Sequence, residues 1–227
     1  MGHAMRRAAR GTQSSFDPLS LSPKGWWDAS DSATVTLSGS NVTAWADKSG
    51  NGYTLTPGSA PTLVTADQNG RDVISFNGTS NYLTNAAGLF GNSRTCFVVC
   101  KRVSGTGYQG IAQSANYGFI VNITNSVLRC WADNDALNST TALTSWRVCT
   151  QRFKNTATRT HETWVDGADL HTGAPGSAES SESLVVGGIN FGGGVLKVAE
   201  ILWYWAVLSD VDRQAVESYL RTKWGTP

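Results

Sequence analysis

Residues Gly192–Gly225 read GGGVLKVAEILWYWAVLSDVDRQAVESYLRTKWG, and the period of their apolar residues changes halfway along. Val195–Val207 is a near-continuous apolar and aromatic run, the mark of a buried strand or strand pair. Ser209 then stands where a helix N-cap belongs, with Asp210 and Asp212 in the first turn. Beyond it Val211, Ala215, Tyr219, Leu220 and Trp224 recur at helical spacing. Gly225 stops the helix and Pro227 lies just past it. One long core strand therefore hands over to one amphipathic helix of about four turns, which should lie against the rest of the fold and close it. No other stretch of the chain reads as a helix.

Working back toward the N-terminus, strand candidates recur every ten or so residues. They are Trp26–Trp27, Thr34–Leu37, Asn41–Ala46, Tyr53–Leu55, Val73–Phe76, Thr95–Arg102, Gly110–Ala112, Gly118–Ile123, Val127–Ala132, Trp146–Phe153, Arg159–Val165, Leu184–Gly187 and Leu196–Tyr204. Turn signals separate them, the densest being Asp47-Lys-Ser-Gly-Asn-Gly52. Short strands joined by turns predict an all-β, two-sheet antiparallel sandwich. There is no β-α alternation and no repeat of fixed period. Residues 1–22 carry Arg6, Arg7, Arg10 and Phe16 without an apolar face. They read as an extended N-terminal arm preceding a domain of residues 23–227. The arm suits either a tail or a segment that orders on a neighbouring subunit.

Composition agrees. Charged residues make up 15% of the 227, Gly contributes 24 and Trp 9; charge is thus below the usual quarter, and turn formers are abundant. A formal net charge of +1 gives no global field for nucleic acid or an anionic membrane. No run reaches transmembrane length, and the polar N-terminus does not read as a secretory signal. Cys96 and Cys100, four apart on a strand, would lie about 13 Å from one another, too far for a disulfide. Spacing leaves a Cys130–Cys149 bridge open. The expectation is four reduced thiols acting as small apolar side chains, as in a protein folded in a reducing cytoplasm.

Several segments carry a resemblance. The order W-x-D-A-S-D (from Trp26), V-x-x-W-x-D-K-S-G-N-G (Val42–Gly52) and V-I-S-F-N-G-T-S-N-Y-L (Val73–Leu83) resembles laminin-G-like jelly rolls of the concanavalin A-like lectin/glucanase superfamily. Trp164-Val-Asp-Gly167, Leu184-Val-Val-Gly-Gly188, Ala199–Tyr204 and the helix ending Lys223-Trp-Gly resemble later landmarks of the same group. The resemblance spans residues 23–225. It implies the jelly-roll fold, and it does not choose among lectins, hydrolases, lyases and structural modules. The opening, the D-K-S-G-N-G turn and the closing helix look like those of tailed-phage structural proteins and bacterial surface proteins. That implies a virion surface protein assembled in the host cytoplasm, a capsid decoration or head/tail fibre component. Its partners would be other virion proteins or copies of itself, with glycans of a host or its surroundings as ligands.

Catalytic patterns are weak. Glycosidases need two carboxylates flanking the scissile bond. The nearest pair, Glu162 and Asp166, shares a strand face, but Asp166 belongs to the V-D-G turn. His161 and His171 stand without a basic cluster, which argues against lyase chemistry. There is no G-x-S-x-G, and Gly192-Gly-Gly194 precedes a strand, unlike a phosphate loop. The domain is therefore expected to be non-enzymatic, with a carbohydrate-active enzyme and a free soluble lectin as the alternatives. Asp133-Asn134-Asp135 follows a strand ending near Trp131. Carboxylates at alternate positions suit one calcium ion, so Asp133 and Asp135 are the metal candidates. Trp131 and Asn134 are the candidates for contacting a glycan at the same rim.

Overall fold

A computed structural model describes residues 16–90, 93–105, 108–114, 118–121, 126–132, 135–174, 182–188 and 194–227. In chain order the strands are β1 (Gly25–Asp28), β2 (Val35–Ser38), β3 (Asn41–Trp45), β4 (Thr56–Ser59), β5 (Thr62–Gln68), β6 (Arg71–Phe76), β7 (Tyr82–Gly88), β8 (Arg94–Arg102) and β9 (Gln109–Gln113). They continue with β10 (Gly118–Val121), β11 (Val127–Ala132), β12 (Asp135–Ala142), β13 (Arg147–Lys154), β14 (Thr160–Val165), β15 (His171–Gly173), β16 (Ser183–Val186) and β17 (Leu196–Tyr204), followed by the helix α1 (Asp210–Trp224). Among the described residues the strands form two antiparallel sheets. The first runs β15-β14-β13-β8-β17-β6-β5-β3-β2, with β1 also paired to β17; the second runs β12-β11-β10-β9-β16-β7-β4. This is the expected sandwich.

The core has two layers. Between the sheets lie Trp27, Trp45, Phe76, Phe90, Phe119, Ile201 and Trp203, with Cys96, Cys100, Cys130 and Cys149 among them. The second layer covers the outer face of the first sheet. There Val216, Leu220 and Trp224 of α1 pack on Val73, Phe97, Val99, Val148, Leu202 and Tyr204. Burying those three helix side chains contributes about 2 kcal/mol each. No helix of the described residues is long and apolar enough to cross a membrane.

β17 pairs with β8, β6 and β1, so the decisive stretch is the centre of its sheet. The strand ends at Tyr204, as the sequence predicts. Helix α1 starts and stops where the caps predict. Ser209 Oγ accepts from the Asp212 amide at 3.1 Å, and Gly225 is left-handed. Replacing Ser209 by Ala should cost about 1 kcal/mol. Urea unfolding checks it, and an unmoved midpoint would mean that packing alone sets the helix start.

The inward face of α1 differs from expectation. Val211, read as inward, is 77% exposed. Arg213 and Glu217 are buried instead. They pair at 2.7 Å, Glu217 accepts from Thr150 Oγ1 at 2.8 Å, and the guanidinium stacks 4.2 Å above Trp164. A reading based on hydropathy assigns such a pair to solvent.

The four thiols are free and buried. The close pair is Cys100–Cys149, with sulfurs 3.8 Å apart, and not Cys130–Cys149. The Cys100 thiol beside it, together with burial, pushes the Cys149 thiol well above its usual pKa; these are inert core groups. Arg6, Arg7 and Arg10 of the expected arm lie outside the described residues. Phe16 belongs to the domain's own packing, because its ring sits 6.2 Å from Tyr219 of α1. Leu21 joins the same layer, and Tyr204 Oη donates to Pro18 O at 3.3 Å. Residues 16–22 thus cover the sandwich where an extended arm was expected.

Candidate functional site

Three segments distant in sequence meet at one end of the first sheet. The first is Leu19–Lys24. Asp17 caps its short 3-10 turn, Pro18–Leu21, and Ser22 turns left-handed to lead the chain into β1. The Lys24 amide then donates to Trp203 O, which registers this segment on β17.

The second is the Asp47–Gly52 turn, whose organiser is Asp47. Its carboxylate accepts from the amides of Trp26, Ser49 and Tyr53 and from Ser49 Oγ, at 2.7–3.2 Å. Gly50 and Gly52 take positive φ, which this tight turn requires. Asn51 reaches back from the turn, its Nδ2 donating to Pro23 O at 3.1 Å and to Lys24 O at 3.2 Å. The turn expected at Asp47–Gly52 is therefore present, with Asp47 capping it. Asn51 additionally fixes the backbone of Lys24.

The third is Trp205–Ala206, where the chain leaves β17. Three consecutive aromatic residues, Trp203-Tyr204-Trp205, cannot all face a core. Trp203 points between the sheets, Tyr204 into the helix layer, and Trp205 is left 42% exposed. Its indole is nonetheless held, because Nε1 donates to Leu89 O at 3.1 Å. Thr95 Oγ1 bonds Ala206 O at 2.8 Å and so fixes the next peptide.

Between these segments lies an open cleft of about 670 Å³, lined by Leu19, Leu21, Ser22, Pro23, Lys24, Ser49, Asn51, Trp205 and Ala206. The Lys24 ammonium rests 4.3 Å from the Trp205 ring centre and 5.0 Å from that of Tyr53. An indole face, an ammonium and a side-chain amide thus share one wall. None of these described lining residues is an acid. The cleft can offer an apolar ring face and polar groups; it offers no acid–base pair.

Beneath it a charged cluster ties β1, the Asp47 turn and α1 together. Glu200 on β17 accepts from Trp26 Nε1 and Trp224 Nε1, both at 2.6 Å, and from Lys223 Nζ at 2.7 Å. Lys223 also reaches Asp28 at 2.6 Å, and Lys48 bridges Asp28 and Asp31 at 3.0 and 2.8 Å. Burial and the neighbouring Asp28 raise the Glu200 pKa. Burial works to raise Asp28 as well, but Lys223, Ser30 and Lys48 hold it below its usual value.

The residues singled out from sequence lie elsewhere. Trp131 is half-buried on β11 of the second sheet. Leu128 and Cys130 of that strand face the core, so Arg129 and Trp131 take the outer face, the guanidinium 5.0 Å from the indole. It shares no lining residue with the cleft. Asp133 and Asn134 lie outside the described residues. Asp135 opens β12 opposite Ala132. Among the described residues no group of three His, Cys, Asp or Glu converges as a metal site would need.

Glu162 and Asp166 are each bound to an arginine: Glu162 to Arg152 at 2.7 Å and Asp166 to Arg147 at 2.8 Å. His171 opens β15 and contacts Asp169 at 2.9 Å. Burial opposes it, but hydrogen bonds from Thr141, His171 and Thr140 hold Asp169 down to about 2. The Trp205 cleft escaped the sequence reading because its three parts are adjacent only through β-pairing. Its one local signal was the triple aromatic run.

No protein-family model matches the chain, and no curated protein sequence does. Solved structures do match in shape. The botulinum neurotoxin serotype D ligand-binding domain in complex with N-acetylneuraminic acid superposes with a TM-score of 0.66 at 14% identity, over 93% of this chain and 56% of that one. The binding domain of Paraclostridial Mosquitocidal Protein 1 gives 0.66 at 12%, over 92% and 56%. A Trypanosoma rangeli sialidase in complex with sialic acid gives 0.60 at 12%, over 89% and 33%. The chain spans about half or less of each. At these identities the likeness shows the fold: a two-sheet sandwich of jelly-roll type.

Proposed function

We propose that this chain is a carbohydrate-binding domain without catalytic activity, and that sugar binds in the Trp205 cleft. The observation that carries this is an indole fixed by its own N–H and still exposed at the mouth of an open cleft. The C–H face of a pyranose stacks on such a ring without reorganising it, so little entropy is lost on binding. Asn51 donates through Nδ2 to the chain, which leaves its carbonyl oxygen for a sugar hydroxyl. Two matched proteins of this fold were solved with a sialic acid, which supports the ligand class. The acid-free lining and the arginine-paired Glu162 and Asp166 support a binding role over hydrolysis. The proposed setting is the surface of a virus particle, next to other virion proteins or copies of itself. It is supported by the sequence resemblance alone, and co-sedimentation of the tagged chain with purified particles tests it.

A glycan array followed by calorimetric titration tests the binding. Trp205→Ala should weaken the best ligand by about tenfold or more, while Trp131→Ala should not. The reverse pattern would move the site to the second sheet. The titration is run with and without a chelator, because Asp133 and Asp135 are the calcium candidates; binding that survives chelation rules calcium out of sugar recognition.

A further inference from the structure

We infer that the Trp205 cleft selects sugars that carry a carboxylate, with Lys24 as the residue that reads the charge. This rests on the cleft being the sugar site. Lys48, Lys197 and Lys223 each hold a carboxylate, on Asp28 and Asp31, on Asp67, and on Asp28 and Glu200 respectively. Lys24, Lys101 and Lys154 have no acid partner among the described residues, and of these three only Lys24 lines the cleft. It lies against the rings of Trp205 and Tyr53.

The acid on the cleft's own segments, Asp47, and the flanking Asp17 are turned to other tasks. Asp17 caps the Pro18–Leu21 turn through the Leu19 amide, and Asp47 accepts the amides of its own turn and of Trp26. The ammonium is also held in place. The Lys24 amide is bonded to Trp203 O, its carbonyl is held by Asn51 and Ser49, and its head is confined between two rings. A fixed cation without a counter-ion, beside an exposed indole, matches a ring that presents a C–H face and a carboxylate together. A neutral sugar would use the indole and Asn51 and leave the charge unanswered. Charge-assisted hydrogen bonds are roughly twice as strong as neutral ones, so the carboxylate should set the preference.

The test uses the full chain and three probes: sialyllactose, its methyl ester and lactose. Calorimetry should give sialyllactose about tenfold tighter binding than the other two, with the gap shrinking as salt is added. Lys24→Met should erase the gap and Lys24→Arg should keep most of it; a near-UV circular dichroism spectrum confirms that each variant is folded. Equal binding of the three probes, or a gap that survives Lys24→Met, overturns the inference. If in that case Trp205→Ala still abolishes binding, the sugar-binding reading stands. If no probe and no array glycan depends on Trp205, that reading falls and this inference with it.

Discussion

Replacing Glu200 by Ala should lower the unfolding free energy by on the order of 4 kcal/mol. Glu200 is fully buried at the centre of the first sheet. Its two oxygens satisfy two indole N–H groups and one ammonium, each within 2.7 Å. Removing them leaves Trp26 Nε1 and Trp224 Nε1 buried without an acceptor. It also leaves Lys223 with only Asp28. Glu200→Gln should cost about half as much, since one oxygen remains while the new NH₂ faces donors. Equilibrium urea unfolding of the three proteins checks the order. A loss below about 1 kcal/mol for the Ala variant would mean that the cluster is not what locks α1 to the sheet. Because Trp26 and Lys48 belong to the cluster, the Ala variant should also loosen the turn that carries Ser49 and Asn51.

Acidification should weaken the fold through His161. The chemistry is fixed by a chain of donors. Arg94 has only donors, so its Nε and Nη2 bond Gln151 Oε1 at 3.3 and 3.1 Å. That turns Gln151 Nε2 toward Trp131 O and His161 Nε2, the latter at 2.9 Å. The imidazole nitrogen must therefore accept, and the ring must be neutral. Burial first, and the Arg94 charge second, lower its pKa from 6.5 to about 3. Between those values the unfolded chain binds a proton that the folded one refuses. The stability is fully present above pH 6.5 and drains as pH falls toward 3, by roughly 3 kcal/mol at pH 4. Unfolding free energies measured from pH 7 to 4 should fall more steeply for the native chain than for His161→Gln, by about one proton of linkage. Parallel curves would contradict a neutral, buried His161.

Much of the fold was legible because it rests on apolar period. β17, α1 and its caps, β8 and β13 are long, strongly patterned segments, and the structure has them within a few residues. β5 (TLVTADQ), β7 (YLTNAAG) and β12 (DALNSTTA) were not legible. Most of their residues are small or polar, and pairing with neighbouring strands makes them strands. The inward face of α1 was misread for a related reason. A buried Arg213–Glu217 pair displaces Val211, and local hydropathy does not contain that information. The proposed site was hidden more deeply. Trp205 lies within the apolar run Val195–Val207, and nothing in that run marks its ring as exposed. Lys24 and Asn51 acquire meaning only when β1 and the Asp47 turn are folded onto it. Trp131 attracted attention as an aromatic residue beside acids, but it stands on the other sheet.

The most direct test is a crystal structure of the chain with sialyllactose. A sugar ring should stack on Trp205, with its carboxylate within hydrogen-bond distance of Lys24 Nζ and a hydroxyl on Asn51. A sugar bound on the outer face of the second sheet beside Trp131, with the Trp205 cleft empty, would contradict that placement.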